Sequence, residues 1–240
     1  MRKEHRPLSL IRFFRWLNAL YVRRILAPQF DRIGKGLKVL HPQSLTLFGK
    51  NISAGDHLHL ISNKSNPISI STWTSKQEQG HIQVGNYCLI SPGVKIISAV
   101  SISVGNSCMI AGNVYISDSD WHGIYNRTRP YRCSAPIIIG DNVWIGYQSI
   151  IGKGVTIGEN SVIGAGSVVI GDIPENVIAA GNPATIIRKL DTKKRMLTRE
   201  FLFSGNADYW ENQHELEKYL FTENSYLKWI KSLFSPTPND

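Results

Sequence analysis

A six-residue repeat constrains the fold of this chain more than any other feature of its sequence. Aliphatic residues recur every six positions, and within residues 139–168 five consecutive hexads begin with Ile-Gly. Four positions after each of these isoleucines stands a Val or a Ser. A period of six matches neither the 3.6-residue period of an α-helix nor the alternation of an ordinary strand. We interpret each hexad as a short strand followed by a tight turn.

Three such strands would complete a coil of eighteen residues, and stacked coils would bury one aliphatic column. Gly or Asn occupies the turn position of several hexads, for example Asn142 and Gly154, and both tolerate a positive φ. We therefore predict an all-β core, a parallel β-helix of hexapeptide repeats, over residues 33–190. We expect residues 62–81 to be a loop, and the register slips by two residues between positions 96 and 104.

The two ends of the chain differ from the repeats. Apolar residues at helical spacing predict a basic amphipathic helix within residues 1–32, and residues 191–240 have the composition of two or three helices. Residues 1–36 contain nine Lys/Arg and two Asp/Glu, so they carry +7 of the net charge of +9. The N-terminal helix either caps the open end of the β-helix or contacts an anionic membrane surface through residues 1–27. The nearly neutral body gives no sign of a nucleic-acid partner.

The three cysteines, Cys88, Cys108 and Cys133, have no metal-ligand spacing, and their odd number favours a reducing compartment. No apolar run approaches the roughly 20 residues of a membrane span. We expect a cytoplasmic protein, with or without peripheral contact at the inner face of the cytoplasmic membrane, and no metal cofactor.

The repeat is interrupted once, by an excursion at about residues 117–138. Of the seven histidines, only His122 lies within the region of regular hexads, and it lies in this excursion. Asp118 and Asp120 precede it, and three arginines follow it. Long excursions from a rigid scaffold often carry function. A histidine with a pKa near its ordinary value of about 6.5 can act as a general base at neutral pH.

The segment from "DWHG" through "IIIGDNVWIGYQSIIGKGVTIGENSVIGAGSVV" to "GNPATIIRKL" resembles the hexapeptide-repeat acyltransferases. It is most similar to the maltose/galactoside acetyltransferase branch, whose relatives acetylate colanic acid and O-antigen sugars. The resemblance covers about residues 104–190. It implies a left-handed β-helix and direct transfer of an acetyl group from acetyl-CoA to a hydroxyl of a sugar, without an acyl-enzyme. The acceptor would be a sugar or lipid-linked sugar of surface polysaccharide or lipopolysaccharide biosynthesis.

The resemblance also implies roles for individual residues. His122 aligns with the family's general base, and either Asp120 or a backbone carbonyl would orient it. A backbone N–H near Gly146–Tyr147 would stabilise the oxyanion. Ser91 and Asn113 are candidate acceptor contacts, since the family's asparagine falls near Ser91–Pro92. The residues that would contact the coenzyme lie in the C-terminal coils and the strand after them: Trp144, Gly146, Tyr147, Gly164, Ala165, Arg188 and Lys189.

In relatives three chains pack side by side with each active site between two chains, so we expect a homotrimer in which the excursion reaches a neighbour. Three alternatives compete with this interpretation. An N-acetyltransferase acting on an amino-sugar or antibiotic would use the same site. A non-catalytic β-helix scaffold would not need the combination of His122, Trp144 and Arg188. A zinc enzyme of the γ-carbonic anhydrase type would need several histidines in the central coils, where His122 stands alone.

Overall fold

The computed structural model describes residues 4–74, 79–128, 133–204 and 215–235. The chain forms two units: Val22–Phe201, and a helical unit that joins Met1–Tyr21 with Leu202–Asp240. The segments predicted at the two ends of the chain therefore associate with each other.

The larger unit is a parallel β-helix built from short strands. In the described residues these are, in chain order, β1 (Arg32–Ile33), β2 (Lys38–Leu40), β3 (Leu45–Phe48), β4 (Ile52–Ala54), β5 (His59–Ile61), β6 (Ile68–Thr72), β7 (Ile82–Val84), β8 (Leu89–Ile90), β9 (Lys95–Ser98), β10 (Ile102–Val104), β11 (Met109–Ile110), β12 (Tyr115–Ser117), β13 (Ile137–Ile139), β14 (Trp144–Ile145), β15 (Ile150–Ile151), β16 (Thr156–Ile157), β17 (Val162–Ile163), β18 (Val168–Val169), β19 (Val177–Gly181) and β20 (Ala184–Lys189).

The strands form three faces because each strand from β1 to β15 pairs in parallel with the strand three places later. Face A is β1-β4-β7-β10-β13-β16, face B is β2-β5-β8-β11-β14-β17-β19-β20, and face C is β3-β6-β9-β12-β15-β18. The last pair of face B, β19–β20, is antiparallel. We call the turns between faces corners AB, BC and CA. The predicted coil of three strands is confirmed.

The interior is the predicted aliphatic column. On face B, Ile110, Ile145 and Ile163 lie in register on neighbouring strands, and each is at most 1% exposed. Full burial of such a side chain contributes roughly 1.5–3 kcal/mol. The small position of the hexad also faces inward: Ser149 and Ser167 are completely buried, and both hydroxyls donate to the Gly164 carbonyl. The inward polar groups are thus satisfied by the turn of the same or the next coil.

The corners have the positive φ predicted from Gly and Asn, for example 55° at Asn142 and 73° at Gly154. Tyr87 and Gln148, which sequence patterns do not associate with such turns, adopt it too, at 60° and 57°. Their backbone N–H groups donate to the Asp56 and Gly112 carbonyls of the preceding coil, so stacking holds a conformation that the residue type disfavours.

One sequence expectation is wrong. The segment 62–81, expected to be a loop, contains β6, which pairs with β3 and β9. Ile68 and Ile70 alternate with Ser69 and are buried, so two inward residues are enough to form the strand although the flanking segments are polar. The excursion itself occupies residues 118–136, between β12 and β13.

The helical unit contains α1 (Leu8–Tyr21), a helix at 215–221 that we call α2, and α3 (Tyr226–Phe234). α1 continues into a π-helical turn at Val22–Leu26, and short 3-10 turns lie at Ala27–Gln29, Pro42–Ser44 and Arg199–Leu202. Within the described part of the chain, none of the helices has the length and apolarity needed to cross a membrane.

Hydrogen bonds hold the helical unit together. The Arg15 guanidinium donates to both carboxylate oxygens of Glu217 at 2.7 Å, and the Ser9 and Tyr226 hydroxyls lie 3.0 Å apart. The Asn224 side chain donates to the carbonyls of Glu4 and Arg6. α1 is therefore paired with the C-terminal helices by groups some two hundred residues away in sequence.

Candidate active site

The excursion leaves the β-helix at corner CA, and its two legs are joined at their base. Ser119 and Ser134 form an antiparallel bridge, and their hydroxyls lie 2.9 Å apart. The Asp120 N–H donates to the Cys133 carbonyl at 3.1 Å, and the Ala135 N–H donates to the Asp118 carbonyl at 2.9 Å. The excursion is therefore a hairpin-like arm with a fixed root.

Asp118 anchors that root to the preceding coil. Its side chain is completely buried and accepts hydrogen bonds from the Ser98 hydroxyl at 2.6 Å, the Ala99 N–H at 2.7 Å and the Val100 N–H at 3.0 Å. These donors lie where the hexad register slips by two residues. The extra residues widen corner CA and form a pocket for the Asp118 carboxylate. The slip and Asp118 are both visible in the sequence, but their connection depends on the folded corner.

His122 lies four residues beyond this anchor, and its ring is exposed. Nδ1 is 2.9 Å from the Arg127 carbonyl oxygen, and the His122 N–H donates to the Asp120 carbonyl at 2.8 Å. Because a carbonyl can only accept, Nδ1 must carry the proton, and Nε2 of the neutral ring keeps its lone pair. The arrangement gives His122 the tautomer that a general base requires, with Nε2 facing away from the contact that fixes the ring.

The group that orients the ring is therefore a backbone carbonyl, one of the two alternatives that the sequence left open. The Asp120 carboxylate does not take this role, because it forms an ion pair with Lys153 in the next coil. Asp118 is occupied by its three donors. Of the two candidates, the structure thus places the Arg127 carbonyl against the His122 ring, and the candidate role of Asp120 in orienting that ring is corrected.

The candidate coenzyme residues lie on the outer surface of face B. Strand register places Met109, Trp144, Val162, Ile178 and Arg188 in one row across neighbouring strands. Trp144 is 49% exposed, and Arg188 and Lys189 are exposed on β20. Three strand spacings separate Trp144 from Arg188, about 14 Å at roughly 4.8 Å each. The row is an apolar strip with a guanidinium at its end.

Corner BC borders this strip and contains the two glycines expected to contact the coenzyme. A Cβ on Gly146 would lie 2.6 Å from the Ala165 nitrogen, and one on Gly164 would lie 2.7 Å from the Ala180 Cβ. Coil stacking alone therefore accounts for both glycines. Their N–H groups are also engaged, with the Ile163 and Ala179 carbonyls at 2.8 Å each.

The backbone N–H groups of the residues that follow these two glycines differ from those of the glycines in their hydrogen bonding. The N–H groups of Tyr147 and Ala165 have no acceptor in the described part of the chain. Of the two amides that the sequence suggested for the oxyanion, the structure thus leaves Tyr147 available and Gly146 engaged.

The candidate acceptor residues, Ser91 and Asn113, are also at corner BC, in coils that precede Tyr147. The Asn113 side-chain N–H donates to the Tyr147 hydroxyl at 3.0 Å, and the Tyr147 ring lies against Gly112. The structure thus brings Asn113 and Tyr147 together as a half-exposed amide and phenol pair. The side-chain contact of Tyr147 with Asn113 is not predicted by the sequence, which suggests only a backbone role for Tyr147.

His122 and these residues lie on different edges of one prism, because the excursion starts at corner CA while Asn113 and Tyr147 lie at corner BC. A single chain therefore presents His122 and the candidate acceptor contacts on separate edges. Among the described residues, no three His, Cys, Asp or Glu side chains cluster as candidate metal ligands.

Comparison with known proteins identifies the family. The model for the bacterial transferase hexapeptide, which spans six repeats, matches residues 136–171. WbbJ of Escherichia coli K12, named as an O-acetyl transferase of lipopolysaccharide biosynthesis, is 32% identical over 160 residues, which is 62% of this chain and 74% of that protein. The chain belongs to the hexapeptide-repeat transferase family.

Two further members of this hexapeptide-repeat transferase family show how far the similarity extends. Protein CapG of Staphylococcus aureus is 37% identical over 171 residues, 69% of this chain and 86% of its own. Galactoside O-acetyltransferase of E. coli K12 is 40% identical over 117 residues, 48% of this chain, and the chain spans 57% of that relative's length.

A solved structure agrees with the fold. A variant of AntD, an N-acyltransferase from Bacillus cereus, superposes with a TM-score of 0.51 over 79% of this chain and 96% of its own, at 17% identity. At that identity the likeness supports the left-handed β-helix and nothing finer.

Proposed function

We propose that this protein is an O-acetyltransferase that moves an acetyl group from acetyl-CoA to a hydroxyl of a sugar. The observation that carries the proposal is His122, whose Nδ1 is fixed by the Arg127 carbonyl so that Nε2 can accept a proton. The names of two relatives, galactoside O-acetyltransferase and WbbJ of lipopolysaccharide biosynthesis, support a sugar hydroxyl as the acceptor.

The residues of face B suit coenzyme A as the acetyl carrier. An apolar arm that ends in phosphates needs an apolar strip followed by cations, which is the order from Trp144 through Ile178 to Arg188 and Lys189. The N–H group of Ala165, at the edge of the strip, can donate to an amide carbonyl of such an arm. When bound, the coenzyme would supply an acetyl thioester, whose carbonyl carbon is open to attack.

In the proposed mechanism the chain positions the acceptor and handles its proton. Nε2 of His122 takes the hydroxyl proton as attack proceeds, because a hydroxyl is a poor nucleophile at neutral pH. As the ester C–O bond forms, the thioester C–S bond would break, and His122 can pass the proton to the departing thiolate, which restores the neutral imidazole. The Tyr147 N–H is the candidate donor to the oxyanion, and such a donor is worth about 3 kcal/mol in the transition state. The Asn113 and Tyr147 side chains then offer an amide and a phenol to the sugar hydroxyls.

The activity test is release of CoA thiol with sugars, amino-sugars, nucleotide sugars and lipid-linked sugars as acceptors. We expect release with a sugar hydroxyl, and a loss of at least about 100-fold in His122→Ala with unchanged CoA affinity. Trp144→Ala should instead weaken CoA binding. Acetylation of the amine alone would favour the N-acetyltransferase alternative, and normal turnover by His122→Ala would refute the base assignment.

We also propose that the enzyme is a homotrimer with sites between chains, because one chain keeps His122 and corner BC on separate edges. A mixing experiment tests this: His122→Ala and Trp144→Ala/Arg188→Glu, each inactive alone, are unfolded and refolded together in equal amounts. Random trimers would combine an intact base with an intact coenzyme face at about a quarter of the sites. A quarter of wild-type turnover supports shared sites, and no recovery places each site within one chain.

The membrane contact proposed for residues 1–27 rests on the exposed side of α1, at the inner face of the cytoplasmic membrane. Phe13, Trp16, Leu17 and Leu20 are between 37% and 59% exposed and follow helical spacing, and Arg23 and Arg24 come next. Aromatic and basic residues together suit the interface of an anionic bilayer.

The vesicle test replaces these apolar side chains rather than deleting α1, since α1 also pairs with the C-terminal helices. Phe13→Ser/Trp16→Ser should lose binding to phosphatidylglycerol vesicles, while Phe48→Ser, an exposed aromatic of face C, should keep it. Equal binding by both variants would contradict the contact.

A further inference from the structure

Both legs of the excursion are bonded to one turn of the following coil. This turn, Gly152–Lys153–Gly154, lies at corner CA. The Gly154 N–H donates to the Ala135 carbonyl of the returning leg at 3.0 Å. Lys153 pairs with the Asp120 carboxylate of the outgoing leg. The turn therefore contacts the arm on each side of the Ser119–Ser134 bridge.

The contact made by Lys153 leads directly to His122. Asp120 joins Lys153 through its carboxylate, and through its own carbonyl it accepts the His122 N–H at 2.8 Å. A side chain on the rigid β-helix is thus connected to the candidate base through one intervening residue. The buried anchor, Asp118, lies before this point and does not contact the part of the arm that contains the imidazole.

We propose that Lys153 is a positioning residue that sets where His122 stands relative to the acceptor. The inference rests on the function proposed above. It assigns Asp120 a new role as the link between Lys153 and the backbone of His122, in place of the direct contact with the imidazole that the sequence suggested.

The solvent exposure of the Lys153–Asp120 ion pair distinguishes a positioning role from a stabilising one. The Lys153 and Asp120 side chains are 33% and 48% exposed, and an ion pair in that setting adds little to global stability. A general base, in contrast, must hold hydrogen-bond distance to the proton that it removes, and a displacement of about 1 Å can cost roughly 100-fold in rate. Loss of the pair should therefore reduce turnover while leaving the melting temperature unchanged.

The kinetic test compares Lys153→Met, Asp120→Asn, the double variant and the charge exchange Asp120→Lys/Lys153→Asp. Each single variant should lower kcat about tenfold, with KM for acetyl-CoA and the melting temperature unchanged, and the double variant should be no worse than either single one. The exchange should recover most of the loss. Lys95→Met, which removes an exposed lysine on face C, is the matched control and should behave as wild type.

Two kinetic results would overturn the proposal. One is normal kcat in Lys153→Met. The other is an Asp120→Asn defect of equal size with Lys153 present and absent, which would give Asp120 a direct role.

A second readout does not depend on turnover. Amide hydrogen exchange in residues 119–128 should be faster in Lys153→Met than in wild type, while exchange in β14 and β15 stays the same. If wild type turns over no acceptor, the proposed function fails, and this measurement still decides the positioning. Unchanged exchange in the excursion would show that Lys153 does not hold it.

Discussion

Replacing Asp118 by Asn should destabilise the protein, because the buried carboxylate accepts three hydrogen bonds at once. One oxygen accepts from the Ala99 N–H, and the other accepts from the Ser98 hydroxyl and the Val100 N–H. An amide has one oxygen and one NH₂, and the NH₂ cannot accept. Whichever way the Asn side chain turns, the N–H of Ala99, which is buried, or of Val100, which is partly buried, loses its partner.

The structure gives the size of the effect. A buried donor left without an acceptor costs about 1–3 kcal/mol, and hydrogen bonds to a charged acceptor are stronger than those to a neutral one. The expected loss for Asp118→Asn is therefore about 2–4 kcal/mol. For a domain of 150–250 residues each kcal/mol lowers the melting temperature by about 2–4 °C, so the fall should be at least about 4 °C.

The assay is thermal unfolding followed by circular dichroism, with Asp172→Asn as the matched control. Asp172 also accepts a backbone N–H, that of Thr156 at 2.7 Å, but it is exposed and water can replace it. The control should melt within about 1–2 °C of wild type. If Asp118→Asn melted as high as Asp172→Asn, the argument that Asp118 anchors the excursion through buried, charged hydrogen bonds would be wrong.

Three further predictions concern the β-helix. Burial and the two nearby cations Lys38 and Arg199 lower the pKa of His59 to about 4, so between pH 6.5 and 4 the unfolded chain binds a proton more readily than the folded one. The protein therefore loses stability as the pH falls through this range. His59→Leu should reduce this fall in melting temperature and leave the pH dependence above pH 7 unchanged. Cys133 should be the one thiol that reacts rapidly with a thiol reagent in the folded protein, because Cys88 and Cys108 are buried, and the nearby Cys88 thiol together with burial raises the pKa of Cys108. Cys133→Ser should abolish that reaction. Gly158→Ala should cost about 1–3 kcal/mol in urea unfolding, since its Cβ would lie 2.3 Å from a backbone nitrogen, whereas Gly171→Ala, with open space around it, should be nearly neutral.

The regular coils could be predicted because the residue pattern of each hexad shows which positions face the interior. An aliphatic residue and a small residue four positions later identify the two inward positions of every hexad, and both are buried where the repeat is strict, as at Ile145 and Ser149. The prediction failed at β6, where the segment around Ile68 follows the same inward pattern over too few residues to stand out from its polar surroundings.

The site could be predicted only in part, because its parts meet across coils. His122 was found from its place in the break of the repeat. The partners of Asp118 and Lys153 could not be found in this way, since they lie 18 to 33 residues away along the chain and depend on how the irregular excursion folds. Likewise, the link between Asn113 and Tyr147 spans 34 residues and depends on the stacking of two corners.

Contacts between residues that are distant in sequence also affect the charge of the N-terminal segment, and this changes the argument for membrane contact. The excess of +7 in residues 1–36 includes Arg15, which the structure pairs with Glu217, 202 residues away along the chain and outside that count. A count along the N-terminal segment therefore overstates the positive charge available to lipids, whereas the exposed apolar row of α1, from Phe13 to Leu20, is unaffected by this pair. Binding to phosphatidylglycerol vesicles should then persist largely in 1 M salt, where the Debye length is about 3 Å. Release by salt would instead show that the cations carry the contact and that the apolar row serves another surface.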